Sequence, residues 1–371
     1  MWYRRVSKWA LQRSRKKNAS PVFSGKSAKL LKSPIVRICI LLLAIGLGLS
    51  WLIPQPATSQ RPRDVELTLV SFAVTRAAYQ RIIPGFVNKW KREHNQNVSF
   101  QESYGGSGSQ TRAVIDGLEA DVVHLSLAQD TKKIQQAGLI RPGWEGKVPN
   151  QAIVSKSVVA LVTRAGNPKR VKGWADLAKP GVTVITANPK TSGVARWNFL
   201  GLWGSVIKNG GNEAAARNFV SRVYRNVPIL PRDAREASSV FYKQGQGDVL
   251  INYENEVLLA AQQGDRLPYL LPPVNISIEN PVAVVDRNVD KHGTRQVAEA
   301  FVKYLYTPEA QREFARVGFR PVNTAVAKEF AKNYPKINKL FTVRDVGGWD
   351  TVQKRFFADG GVFDQIETAR R

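Results

Sequence analysis

From residue 65 onward the chain switches repeatedly between two periodicities. Residues 65–72 (Val-Glu-Leu-Thr-Leu-Val-Ser-Phe) alternate as a half-buried strand does. Residues 75–91 then take helical spacing, with Tyr79, Ile82, Ile83, Phe86, Val87 and Trp90 on one face and Pro84 as a point where the helix can kink. The pattern predicts further strands at 98–102, 121–126, 183–186 and 247–253. Helices are predicted at 111–120, 131–136, 195–207, 213–223, 257–263, 295–306 and 308–317. Short alternating units of this kind imply α/β layers around mostly parallel sheets. Two apolar stretches, 153–164 and 281–286, read as strands crossing between lobes, and two lobes joined by two strands make a hinged cleft. The expected division is 60–152 for the first part of lobe I, 153–280 for lobe II with the first hinge strand, and 281–371 for the second hinge strand and the rest of lobe I.

Charge changes the picture at the amino end. The 371 residues carry 55 Lys+Arg against 29 Asp+Glu, a net +26. Eleven of these basic residues and no acid fall in 1–59, followed by the 16-residue apolar run 38–53 and the small-x-small site Ala57-Thr58-Ser59. That order predicts a secretory signal peptide over 1–59, the alternative being an uncleaved membrane anchor. Cys39, the one cysteine, lies inside the apolar run, so no lipoprotein processing site is expected, and the protein is placed in the periplasm. Residues 60–371 keep an excess of +15, which either steers anions or is a generally basic, solvated surface. No helix-turn-helix, aromatic RNA-binding or zinc-finger pattern accompanies it, so nucleic acid is not an expected partner. Three scattered His and a lone Cys give no metal-ligand cluster, and no cofactor is expected.

The candidate chemistry sits in strand-to-helix turns. Gly105-Gly106-Ser107-Gly108-Ser109 follows a strand and opens a helix, and Asn188-Pro189-Lys190-Thr191-Ser192-Gly193-Val194 repeats that arrangement in the other lobe, with Thr191 or Ser192 as the cap. Asp233-Ala234-Arg235-Glu236 and Ser71-Phe72-Ala73-Val74-Thr75 are two more such turns. The first N–H groups of a helix lack intrahelical partners and carry the positive end of its dipole, so they bind oxyanions. No Gly-x-x-x-x-Gly-Lys-Ser/Thr phosphate loop and no Gly-x-Ser-x-Gly nucleophile elbow occurs. Glu254 and Glu256 are read as strand residues sharing one face, more simply a structural pair than an acid/base couple.

Asn188–Arg196 (Asn-Pro-Lys-Thr-Ser-Gly-Val-Ala-Arg) resembles the signature of prokaryotic sulfate-binding proteins of ABC transporters. The resemblance continues through Gly105-Gly106-Ser107-Gly108, residues 115–121 and 247–256, and Arg320-Pro321-Val322-Asn323, and covers essentially all of 65–367. It implies a two-lobed type II periplasmic-binding fold and a non-enzymatic, monomeric receptor that hands sulfate, or alternatively thiosulfate, to permease subunits in the inner membrane. The rival outside that class is a membrane-anchored anion sensor or enzyme on the same scaffold. Carried over by the resemblance, the ligand donors are the N–H of Ala73, the N–H and hydroxyl of Ser107, the N–H groups of Gly193, Val194 and Ala234, and the side chain of Tyr253. Family members commonly have Asp, Gly and Trp where this chain has Ala73, Val194 and Tyr253; a tyrosine hydroxyl both donates and accepts, whereas an indole N–H only donates. Arg76, Arg112, Arg196 and Arg235 sit just inside the helices and are read as orienting loop carbonyls, with direct contact as the alternative; Arg196 and Arg235 are the foremost of these.

Overall fold

The computed structural model describes residues 63–370. The leader or anchor expected over 1–59 lies outside the described residues. The strands are β1 (Val65–Phe72), β2 (Val98–Gly105), β3 (Val122–His124), β4 (Ile153–Ser157), β5 (Val159–Thr163), β6 (Val184–Ile185), β7 (Val249–Tyr253), β8 (Tyr269–Leu270), β9 (Val274–Ile276), β10 (Ile278–Val284) and β11 (Lys339–Phe341). They form a five-stranded sheet of order β2-β1-β3-β10-β4, a four-stranded sheet of order β6-β7-β5-β8, and the pair β11-β9. The two larger sheets are the cores of the two lobes.

Both sheets are mixed, where the sequence pattern suggested mostly parallel ones. β1 runs parallel to β2 and β3, and β6 parallel to β7, but β10 is antiparallel to β3 and β4, and β5 antiparallel to β7 and β8. The antiparallel members include both strands at the crossings, which enter a lobe from the direction of the other lobe and meet the resident strands head-on. The stretch read as one strand over 153–164 breaks at Val158: β4 belongs to the first sheet and β5 to the second. Ser277 likewise separates β9, which pairs with β11, from β10 of the first sheet.

The helices follow the apolar spacing. They are α1 (Arg76–His94), α2 (Ser107–Ile115), α3 (Ala128–Gln136), α4 (Gly193–Lys208), α5 (Glu213–Arg225), α6 (Ala234–Tyr242), α7 (Glu254–Gln262), α8 (Asp286–His292), α9 (Arg295–Tyr304), α10 (Pro308–Arg316), α11 (Thr324–Glu329), α12 (Gly348–Val352) and α13 (Val362–Arg370). α1 runs on through Pro84 and buries Ala78, Tyr79, Ile82, Phe86 and Trp90. In the first lobe Phe72, Tyr79 and Phe314 close around the buried imidazole of His124, and Phe301 packs behind Tyr79. α4 is apolar nearly all round, as suits a helix buried on every side, and forms the spine of the second lobe.

The carboxyl-terminal stretch corrects the expected division. Residues 339–370, assigned by sequence to lobe I, pack on the second lobe: Trp349 lies edge-on to Trp197, and Phe356, Phe357 and Phe363 surround Phe199. The cause is the apolar face of α4, which the second sheet covers on one side only; the aromatic tail covers the other. Among the described residues no helix is long and apolar enough to cross a membrane.

Candidate functional site

The turns that lead from β1, β2 and β3 into helices in the first lobe face, in the second, the turns after β6 and β7 and the start of α6. Phe72, Ala73, Val74, Gly105, Gly106, Ser107 and Ser126 from one side meet Ser192, Gly193, Val194, Asp233, Ala234 and Tyr253 from the other, around a small cavity of ≈ 10 Å³. The location is the general one for ligands of α/β sheets, beyond the carboxyl ends of the strands. All six positions named as ligand donors lie on this one cavity.

The local sequence explains why. Ser107 is the first residue of α2, behind Gly106 in extended conformation; Gly193 and Val194 are the first two of α4, behind Ser192; Ala234 is the first of α6, behind Asp233. Ala73 opens a short 3₁₀ turn leading into α1. N–H groups at such positions have no acceptor within their own helix, and three helix dipoles of 9, 16 and 9 residues add their positive ends at the same point. α2 begins four residues before the expected start, because a Gly/Ser run reads as loop whereas its backbone is already helical at Ser107.

The lobes are closed on each other here. Gly108 N–H donates across the cleft to the Thr191 carbonyl at 3.1 Å, and within the second lobe the Thr191 hydroxyl is held by the Arg232 carbonyl at 2.7 Å. A Cβ on Gly106 would stand 2.5 Å from the Thr191 carbonyl oxygen, and one on Gly193 2.4 Å from the Ser126 side chain. Asp130, fully buried, joins the two sides: one carboxylate oxygen accepts from the Ser107 hydroxyl at 2.7 Å, the other from Arg196 Nη1 at 3.1 Å. The Ser107 hydroxyl also accepts from Ser126 N–H at 3.0 Å. Its single proton is therefore committed to Asp130, and only the backbone N–H of Ser107 is left for a ligand, which corrects the expectation of two donors from this residue.

Tyr253 ends β7 with its hydroxyl 2.6 Å from the Ser126 hydroxyl. Burial pushes the phenol far above its ordinary value, so it keeps its proton. None of the four arginines lines the cavity. Arg196 Nε donates to the Pro189 carbonyl at 2.9 Å, Arg112 Nη1 to the Lys190 carbonyl at 3.3 Å, and Arg76 lies over the Tyr104 ring at 4.7 Å. Arg235 pairs with Glu256 at 3.1 Å; with Arg76 and Arg232 it borders a wider groove of ≈ 520 Å³ that adjoins the cavity at Ala73 and Asp233. Glu254 and Glu256 begin α7 rather than extend the strand, and they diverge: Glu254 takes a bidentate pair from Arg320 at 2.6 and 2.8 Å, while Glu256 faces Arg235 and Ser238.

Three residues at this junction escaped the sequence reading. Ser126 lies in the turn between β3 and α3, a fifth strand-to-helix turn of the same kind, and counting it with the others would have found it. Ser192 was read only as a cap; it holds the N-cap position without a side-chain capping bond and lines the cavity instead. Asp130 had no local signal, because its partners are 23 and 66 positions away. No group of three or more potential metal ligands occurs among the described residues.

Residues 67–320 match the family model described as bacterial extracellular solute-binding protein. The chain is 59% identical over 316 residues to a sulfate-binding protein of Synechococcus elongatus, covering 85% of this chain and 90% of that one. It is 40% identical over 328 residues to a thiosulfate-binding protein of Pseudomonas aeruginosa, covering 88% and 96% respectively. The solved structure of the sulfate-binding protein SubI from Mycobacterium tuberculosis H37Rv superposes with a TM-score of 0.73 at 39% identity, over 79% of this chain and 99% of that one.

Proposed function

The chain belongs to the bacterial extracellular solute-binding proteins, and from that premise we propose that it captures sulfate between its lobes and delivers it to the membrane permease of an ABC transporter. It is a receptor rather than an enzyme. The observation that carries the reading is the meeting of three helix N-termini from two lobes on one small cavity lined by N–H groups and hydroxyls. Sulfate is fully deprotonated at neutral pH and has only acceptors to offer, so a surface made of donors matches it on every oxygen.

The N–H groups of Ala73, Ser107, Gly193, Val194 and Ala234 are the proposed backbone donors, with the Tyr253–Ser126 hydroxyl pair and Ser192 as the side-chain donors. Each hydrogen bond to a charged group contributes about 1.5–3 kcal/mol. Five or more therefore exceed the ~8 kcal/mol of a micromolar complex, and the surplus offsets the anion's desolvation and the ordering of the lobes. The carboxylates nearby do not oppose the charge freely: both oxygens of Asp130 are occupied, and one oxygen of Asp233 caps Glu236 N–H at 2.9 Å. The protein works as a monomer outside the cytoplasm, released from its amino-terminal leader and not lipid-anchored. Apart from that leader, nothing in the reading depends on residues 1–62.

Calorimetric titration of the protein from Gln60 onward with sulfate should give one site per chain at micromolar affinity or tighter. Thiosulfate, in which a larger sulfur replaces one oxygen, should bind more weakly. Absence of heat with sulfate at millimolar concentration would overturn the assignment, and a clear preference for thiosulfate would transfer it to that anion.

A further inference from the structure

The backbone N–H donors of the cavity have no lone pair to give, and the Ser192 hydroxyl stands by itself. Ser126 and Tyr253 differ in being paired: their hydroxyls stand 2.6 Å apart across the junction with 1% and 2% of their residues exposed. Both line the cavity, and among the described residues neither hydroxyl has another partner. Their backbones are fixed: the Ser126 carbonyl accepts from Trp197 Nε1 and Asn280 Nδ2, both at 3.0 Å, and Tyr253 N–H is held by Asn252 Oδ1 at 2.8 Å.

We propose that the Ser126–Tyr253 pair sets the anion specificity of the site by letting it accept a tetrahedral oxyanion that still carries a proton, with hydrogen phosphate as the test case. The inference rests on the reading of the cavity as an oxyanion site. Two hydroxyls hold two protons, and one proton lies between them. With a fully deprotonated anion the other points at the ligand, from whichever residue is the outer one, and the pair counts as a single donor. With a protonated anion the pair has a second arrangement. The phenol donates to Ser126, Ser126 donates to one ligand oxygen, and the phenol oxygen accepts the ligand's own O–H. Every proton and lone pair is then matched without any group changing its protonation state. A lone indole N–H in place of Tyr253 has no such arrangement, because it can only donate. The ligand's O–H would face donors and go unpaired, a large loss in a buried site.

The test is a parallel titration of wild type, Ser126→Ala and Tyr253→Trp with sulfate and with inorganic phosphate at neutral pH. Wild type should bind phosphate measurably, though less tightly than sulfate. Ser126→Ala leaves the phenol free to donate to sulfate directly, so sulfate affinity should change by less than about threefold, while phosphate affinity falls roughly tenfold or more. Tyr253→Trp should lose phosphate in the same way; the serine variant carries the test if the larger indole does not pack. Wild type that binds sulfate with phosphate silent at millimolar concentration would overturn this proposal and leave the sulfate reading standing. Phosphate binding that Ser126→Ala leaves in the same ratio to sulfate would also overturn it, placing the acceptor elsewhere, with Asp233 the nearest carboxylate on the cavity. Silence toward both anions in wild type would overturn the oxyanion reading itself.

Discussion

Asp130 contributes nothing to the cavity wall, yet it connects both halves of the site. Its two oxygens bind Ser107 of the first lobe and Arg196 of the second, and both Asp130 and Arg196 are almost wholly buried when the lobes meet. Removing one member of a buried ion pair leaves an uncompensated charge, at a cost of about 3–5 kcal/mol. That cost falls on the closed arrangement, where Arg196 is desolvated. Asp130→Ala should therefore weaken ligand binding at least a hundredfold in calorimetry, while the melting temperature of the ligand-free protein moves little. An equal loss of stability with and without ligand would mean the pair serves the fold and not closure. At this scale the residues whose backbone lines the cavity were readable: Ala73, Ser107, Gly193 and Val194 stand at strand-to-helix turns and Ala234 opens a helix after an irregular stretch, and helix starts of that kind have a local signature. Side-chain roles were less readable. The Ser107 hydroxyl and the Ser126–Tyr253 pair depend on partners 23 and 127 positions away, and no periodicity encodes those distances.

Among the elements, α2 is the one that docks across the cleft, with its first turn against the Asn188–Gly193 loop. Gly106, at its N-cap, has φ −61° and ψ 134°, a conformation open to any residue, so its small size and not its flexibility is what the contact uses. Gly106→Ala should leave the ligand-free protein as stable as wild type, since the backbone already suits alanine and the unfolded chain loses freedom. Its Cβ would press on the Thr191 carbonyl, however, so ligand affinity should fall by roughly tenfold or more; unchanged affinity would show that the lobes bind ligand without this approach. Long amphipathic elements such as α1 and β1 were legible because a buried stripe leaves a periodic trace over many residues. The break at Val158 was not, because both halves of residues 153–164 are equally apolar and nothing in the pattern tells which sheet a strand will join. The tail was legible only as packing, since its aromatics announce burial without naming the surface that receives them.

For the molecule as a whole, two histidines set opposite limits to stability against pH. His124 is fully buried, and burial lowers its pKa from the ordinary value to about 3. The unfolded chain takes up a proton there below about pH 6.5, and the native protein does not. This histidine should thus remove about 1.4 kcal/mol of stability per pH unit on acidification from about 6.5. His292 behaves in the opposite sense: its ring nitrogens reach Glu119 at 3.0 Å and Asp121 at 2.9 Å, which raise its pKa. Its contribution is complete below the unfolded value and fades as pH rises through the raised one. Urea midpoints measured from about pH 5 to 8 should accordingly pass through a maximum, with the alkaline limb flattened in His292→Gln and the acid limb retained. A monotonic profile would contradict the burial of His124.

The described chain enters the first lobe at β1, in the interior of its sheet, and leaves on α13, which lies against α5 of the second. The two ends are thus fastened to opposite jaws, with Val158 and Ser277 as joints in the strands between. A swing of one jaw on the other would therefore also change the span from residue 63 to residue 370, so these two positions stand to the lobes as the tips of a pair of callipers stand to its arms.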